Sequence, residues 1–201
     1  ISKTKEGFMS IEMDDIKKKL WDAADNLRAN SELTSAEYKT PVLGLVFLRF
    51  VDHKFSQAEN NLKQSSSTGR GPRPINKDDY KSQGVLYIPE TSRYKHLLEL
   101  PEGSDIGNAV GNAMSDIENE NQELRGILPK DFSKIDSPTL SSLLRTFSEI
   151  SLNFEGDLFG KVYEYFLGNF ALEEGADGGE FFTPTSLVRL IVEIIEPFKG
   201  L

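Results

Sequence analysis

Between Gly175 and Pro184 the chain reads Gly-Ala-Asp-Gly-Gly-Glu-Phe-Phe-Thr-Pro, the stretch whose residue types come nearest to chemistry. Thr183 suits the capping position of a helix and Pro184 its first turn, so the unpaired N–H groups there favour a neighbouring anion such as a carboxylate. Gly178 and Gly179 let a ligand come close to the backbone, and Phe181 and Phe182 offer an apolar wall or a stacking face. The same residues have a purely structural reading. In it the glycines turn the chain and the phenylalanines fill core beneath a capped helix, which is the commoner use of such residues. Local chemistry leaves both readings open.

The other candidates are weaker. His53 and His96 are the only histidines and there is no cysteine, which excludes a disulfide framework and a thiolate metal site. A metal site shared by the two histidines is not expected, because His53 falls in an apolar, helix-like run and His96 at a loop-to-helix transition. The Ser65-Ser66-Ser67 run lacks a nucleophile elbow or a neighbouring base. Gly69-Arg70-Gly71 sits in a polar linker rather than between a strand and a helix, so it reads as flexible spacing. Seven acids and no Lys or Arg fall between Glu99 and Glu123, the pattern of a solvated helix face. Arg70, Arg73 and Lys77 could touch phosphates, although a solvated loop is the more frequent role for such residues. No independent catalytic residue is expected.

The elements that would position these residues are helical. Ser10 can cap a helix with Ile16, Leu20, Ala23, Ala24 and Leu27 on one face. Thr34 and Glu37 fit a capping box, and Leu43, Leu45, Val46, Phe47, Leu48, Phe50, Val51 and Phe55 continue as a long helix, apolar on nearly every side and so expected to be buried. Pro41 is expected in or before that helix's first turn, since deeper placement removes a hydrogen bond. The stretch 64–76, most plainly Gln64 to Pro74, reads as a mobile connection. Val85 to Ile88 reads as one short strand or as an extended segment pinned to helices. Further helices follow from the spacing of Ile106, Val110, Ala113, Met114 and Ile117, and of Leu140, Leu143, Leu144 and Phe147 after Ser137-Pro138. Leu158 to Phe170 and Pro184 to about Glu196 complete the set.

The composition is that of a soluble globular domain, 38% hydrophobic and 27% charged over 201 residues. The longest apolar runs fall well short of the ~20 residues of a membrane span, and Ile1 to Ser10 has no apolar core of a secretory signal. A cytoplasmic protein is the expectation. The net charge of −9 argues against general affinity for nucleic acid. Any DNA contact must be local.

Gly-Glu-Phe-Phe-Thr-Pro is similar to the G-x-[FY]-[FY]-T-P signature of adenine-specific DNA methyltransferases of the type I restriction-modification modification-subunit family. Other stretches resemble the family in the same order: Tyr38 to Asp52 (YKTPVLGLVFLRFVD), Val85 to Leu98 (VLYIPETSRYKHLL), Ile106 to Leu128, and Leu158 to Ala171 (LFGKVYEYFLGNFA). The resemblance runs from about Met9, a candidate initiator, to the end.

The resemblance implies a mainly α fold: a multi-helix N-terminal domain with at most one short strand or hairpin, preceding a Rossmann-like core that is absent here. The expected organisation is an N-terminal extension over 1–8, a helical domain over 9–172 with the loop 64–76, and a cofactor-pocket loop and helix over 173–201. Gly179, Glu180, Phe181, Phe182, Thr183, Pro184 and Thr185 inherit a role in binding S-adenosylmethionine. The core's Gly-rich loop and Asn-Pro-Pro-aromatic motif are missing, so the sequence is expected to be a piece of a longer subunit, inactive alone. The family's implied partners are a specificity subunit, a second modification subunit, a restriction subunit and DNA. The alternative is a non-enzymatic helical adaptor that binds proteins only.

Overall fold

The computed structural model describes residues 13–25, 34–66, 74–152 and 158–173. Its helices are α1 (residues 13–25), α2 (Ser35–Ser66), α3 (Lys77–Ser82), α4 (Tyr94–Leu98), α5 (Ile106–Glu120), α6 (Ser137–Ser148) and α7 (Leu158–Glu173), with 3₁₀ turns at Glu90–Ser92 and Gln122–Leu124. No strand occurs among the described residues, as expected of a mainly α domain. Ser10, Leu27, Arg70, Arg73 and the Pro184-to-Glu196 helix lie outside them.

The axis of the fold is α2, which at 32 residues is roughly 48 Å long. It packs against α7 on one side and against α3, α4 and α6 on another. Its apolar surface explains that reach: Val42, Leu45, Val46, Leu48, Phe50 and Phe55 are all buried, while Leu43, Phe47 and Val51 on the remaining side are partly buried. The expected capping box forms at its start, Thr34 N–H donating to Glu37 Oε2 at 3.1 Å and Glu37 N–H to Thr34 Oγ1 at 3.4 Å. The helix also runs through Ser66, three residues into the stretch read as a loop; residues 67–73 lie outside the described ones.

Pro41 departs from expectation. It stands well inside α2, six residues after Ser35, where its ring nitrogen has no proton to donate to the preceding turn. The capping box fixes the turn before it. Buried Tyr38 and Val42 hold the helix on either side, so tertiary packing outweighs the lost bond.

The second layer is α4, α5 and α6. Val110, Met114 and Ile117 of α5 meet Leu140, Leu144 and Phe147 of α6 in the buried core. The connection between these helices crosses α5 closely. A Cβ on Gly111 would collide with the Lys130 carbonyl, and one on Gly107 would lie 3.3 Å from the Phe132 carbonyl, so glycine at both positions permits the crossing. Gly44 of α2 faces the same connection, its would-be Cβ 2.5 Å from Pro129 Cγ.

Val85 to Ile88 is extended but joins no sheet. The side chain of Asn121 takes the place of a neighbouring strand: Tyr87 N–H donates to its Oδ1 at 2.9 Å, and its Nδ2 donates to the Tyr87 carbonyl at 2.8 Å. Of the two readings left open for this segment, the structure selects the one pinned to a helix.

Candidate functional site

The segment singled out for cofactor binding, Gly179, Glu180, Phe181, Phe182, Thr183, Pro184 and Thr185, lies outside the described residues. The helix that leads toward it does not. Along α7 the buried residues Val162, Phe166 and Phe170 form one face, as their spacing of four requires. Trp21 of α1 meets Phe166 and Phe170 edge-on, with ring centroids 5.4 and 5.0 Å apart. Tyr38 of α2 meets Phe170 at 5.9 Å. Nearer the start of α7, Phe159 packs against Phe50 at 5.4 Å. Aromatic edges thus fix α7 from two other helices.

A second cluster joins two of the stretches that carry the family resemblance. Asp52 is buried on α2, and its Oδ1 accepts from Arg93 Nε at 2.6 Å and from Tyr94 N–H at 3.2 Å. Arg93 also donates to Ser56 Oγ at 2.8 Å, reaches Glu59 at 3.6 Å and lies over the Phe55 ring at 4.5 Å. The neighbouring Tyr94 hydroxyl donates to the Leu144 carbonyl at 3.0 Å. Burial pushes that phenol's pKa upward. Arg49 completes the lock. Its Nε donates to the Phe147 carbonyl at 3.1 Å and its Nη2 to those of Ser148 and Ile150 at 3.3 Å each, capping the end of α6 with a cation where the helix dipole is negative.

These polar groups are occupied with one another, which suits a lock between helices better than acid–base work on a substrate. Arg49 and Asp52 interrupt an otherwise apolar run, a sequence signal that buried partners would be needed. Their partners, 41 residues away for Asp52 and about a hundred for Arg49, could not be read from spacing.

The acids between Glu99 and Glu123 are exposed or half-buried, as expected of a solvated face, with one exception. Glu118 is buried and accepts from Leu128 N–H at 2.8 Å and from Lys130 Nζ at 2.6 Å. The Lys130 bond is the main reason its pKa falls to about 2, with backbone N–H groups assisting. Asp105 caps α5 through Asn108 N–H at 2.9 Å, and Glu120 takes a bond from Lys77 at 2.6 Å. Lys77 is thereby held in an ion pair that stays partly open to solvent.

A surface groove of about 1030 Å³ runs between the α4–α5 loop and the segment from Lys130 to Pro138. Three of its carboxylates accept local hydrogen bonds: Asp105 from Asn108 N–H, Asp131 from Ser133 and Asp136 from Thr139. The two histidines differ in their surroundings. His53 is half-buried, and burial with the positive charges of Arg49 and Lys54 depresses its pKa. His96 is exposed on α4. Among the described residues no group of three or more His, Asp or Glu could hold a metal ion, and no helix is long and apolar enough to cross a membrane.

Comparison with known proteins accords with this architecture. Residues 16–147 match the HsdM N-terminal domain, and residues 154–201 match the N-6 DNA Methylase family. The chain is similar to the type I restriction enzyme MjaIX methylase subunit of Methanocaldococcus jannaschii, 35% identical over 198 residues that cover 90% of this chain and 35% of that protein. The HindI methylase subunit of Haemophilus influenzae is 37% identical over 128 residues, covering 56% and 29% of the two chains. The MpnII methylase subunit of Mycoplasma pneumoniae is 25% identical over 215 residues, covering 89% and 39%. The chain spans about a third of the length of these curated relatives. With the first match extending through α1 to α6, the chain belongs to the HsdM N-terminal domain family.

Proposed function

We propose that this chain is the N-terminal part of a DNA adenine-N6 methyltransferase subunit of a type I restriction-modification complex. The observation that carries the reading is the order of the two family matches, a helical domain followed directly by the start of an N-6 DNA methylase. The second match contains Gly179 to Thr185, whose glycines, aromatic pair and helix start suit a nucleoside ligand with a carboxylate end. On this reading those residues line one wall of the S-adenosylmethionine pocket, the cofactor supplies the methyl group, and the helical domain holds that wall in place. The piece alone is inactive, because the Asn-Pro-Pro-aromatic motif that would grip the adenine is not among its residues.

The partners on this reading are DNA, a specificity subunit that chooses the sequence, a second modification subunit and a restriction subunit, in the cytoplasm. The test is methyl transfer. The intact subunit with its specificity partner, given DNA and S-adenosylmethionine, is expected to yield N6-methyladenine on digestion of the product. Transfer to cytosine, or none at all under conditions where the complex binds DNA, overturns the reading.

A further inference from the structure

The groove between the α4–α5 loop and the segment from Lys130 to Pro138 joins an apolar floor to an acidic rim. Leu98, Leu100 and Pro138 line it, the two leucines half-buried and the proline exposed. Four carboxylates, Glu102, Asp105, Asp131 and Asp136, outnumber its two cations, Lys130 and Arg145. Of those cations, Lys130 is already bound to Glu118. Side-chain bonds from Ser133 and Thr139 hold the carboxyls of Asp131 and Asp136 below the usual range, so the rim stays negative at neutral pH. Such a groove suits an apolar side chain with a cation beside it.

The chain itself carries that pair. Ile127 is 67% exposed, and Arg125, two residues before it, is exposed as well. The turn that presents them is pinned on both sides of Ile127. Ile127 N–H donates to the Leu124 carbonyl at 3.0 Å, Gly126 supplies a φ of 79° that side chains rarely adopt, and Leu128 N–H donates to buried Glu118 at 2.8 Å. An isoleucine thus stands in water on a fixed support, at an apolar cost that a partner would remove.

Turn and groove are also placed reciprocally. Asp105, at the start of α5, lines the groove, and the turn follows the other end of that helix. Over its 15 residues α5 spans roughly 22 Å, so the turn cannot enter its own groove. The chain between them runs back along α5, Lys130 crossing at Gly111 and Phe132 at Gly107. A two-fold axis across the middle of α5 brings each copy's turn to the other's groove, the self-complementary contact of a symmetric dimer.

We propose that the groove receives the Arg125–Ile127 turn of a second copy of this chain, with Ile127 on its apolar floor and Arg125 among its carboxylates. The partner is the second modification subunit of the reading given above, and the pair's role rests on that reading.

The test is sedimentation equilibrium of the intact subunit. Two small contacts predict a weak dimer, with a dissociation constant on the order of 10 μM. Ile127→Glu and Arg125→Glu each weaken it at least about ten-fold. Both side chains are exposed, so the melting temperature stays at the wild-type value. Glu102→Arg weakens the dimer as well, and combining it with Arg125→Glu restores most of the association. A monomer at every concentration, a dimer that Ile127→Glu and Arg125→Glu leave intact, or reversals whose losses add instead of cancelling, overturns the proposal. Methyl transfer is read separately: a subunit that pairs through this groove but methylates no adenine overturns the functional reading and with it the pair's assigned role.

Discussion

The guanidinium of Arg93 closes on the carboxylate of Asp52 at 2.6 Å, tying the start of α4 to the middle of α2. Both side chains are largely removed from water, at 15% and 10% exposure. Breaking one partner therefore strands a charge. Arg93→Ala is expected to destabilise the chain by about 3 kcal/mol in urea unfolding, because Asp52 keeps only the Tyr94 N–H. Arg93→Lys recovers less than half, since an ammonium cannot serve Asp52 and Ser56 together while stacking on Phe55.

Asn121 stands in for a strand beside Tyr87. Asn121→Ala leaves both the N–H and the carbonyl of Tyr87 without their partner, and also removes the bond from Asn121 Nδ2 to the Ile117 carbonyl at 2.7 Å. A loss of about 2 kcal/mol follows. Hydrogen exchange of the Tyr87 amide should accelerate more than that of the core amides of α6. Equal acceleration everywhere would mean that Asn121 supports the whole fold rather than this segment.

Glu118 makes the chain sensitive to acid. Its folded pKa, about 2, lies below the ordinary carboxyl value of 4.5, so folding favours the ionised form. The resulting stabilisation is complete above the ordinary value and is lost as pH falls through about 2. Glu118→Gln should lower stability at neutral pH by about 1 kcal/mol, and the difference from wild type should shrink across that acid window. A difference that stays constant from pH 7 to pH 2 would contradict the assignment.

Gly44 marks a contact point between layers. Gly44→Ala places a methyl against Pro129 and is expected to cost about 2 kcal/mol. Pro129→Ala in the same chain should return part of that loss. A double-mutant cycle in unfolding free energy measures the coupling, and strict additivity would show that the clash is absorbed elsewhere.

Much of the fold is legible in the sequence, and the reasons are particular. The spacing in α5, α6 and α7 records one buried face each, and Thr34 with Glu37 records where α2 begins. Local pattern could not show that Pro41 sits inside α2, because the compensation comes from Tyr38, Val42 and the packing around them. Nor could it show that Glu118 turns inward, since its partners Leu128 and Lys130 are reached only once the chain folds back across Gly111. The helices α3 and α4 are too short to display a period. Asn76, which caps α3 by accepting from Asp79 N–H at 3.1 Å, was the available sign of the first. The candidate cofactor segment rests on its motif alone, because a short run of glycine and aromatic residues has no distinctive local physics. The adaptor alternative lost ground to the N-6 DNA Methylase match over residues 154–201, not to anything in the helices.

The most direct measurement is a calorimetric titration of the intact subunit with S-adenosylmethionine, wild type against the Phe182→Ala, Thr183→Ala double variant. The account predicts that the wild type binds and that the double variant loses at least ten-fold in affinity while its helical domain still unfolds cooperatively. Equal affinity in the two proteins would contradict it.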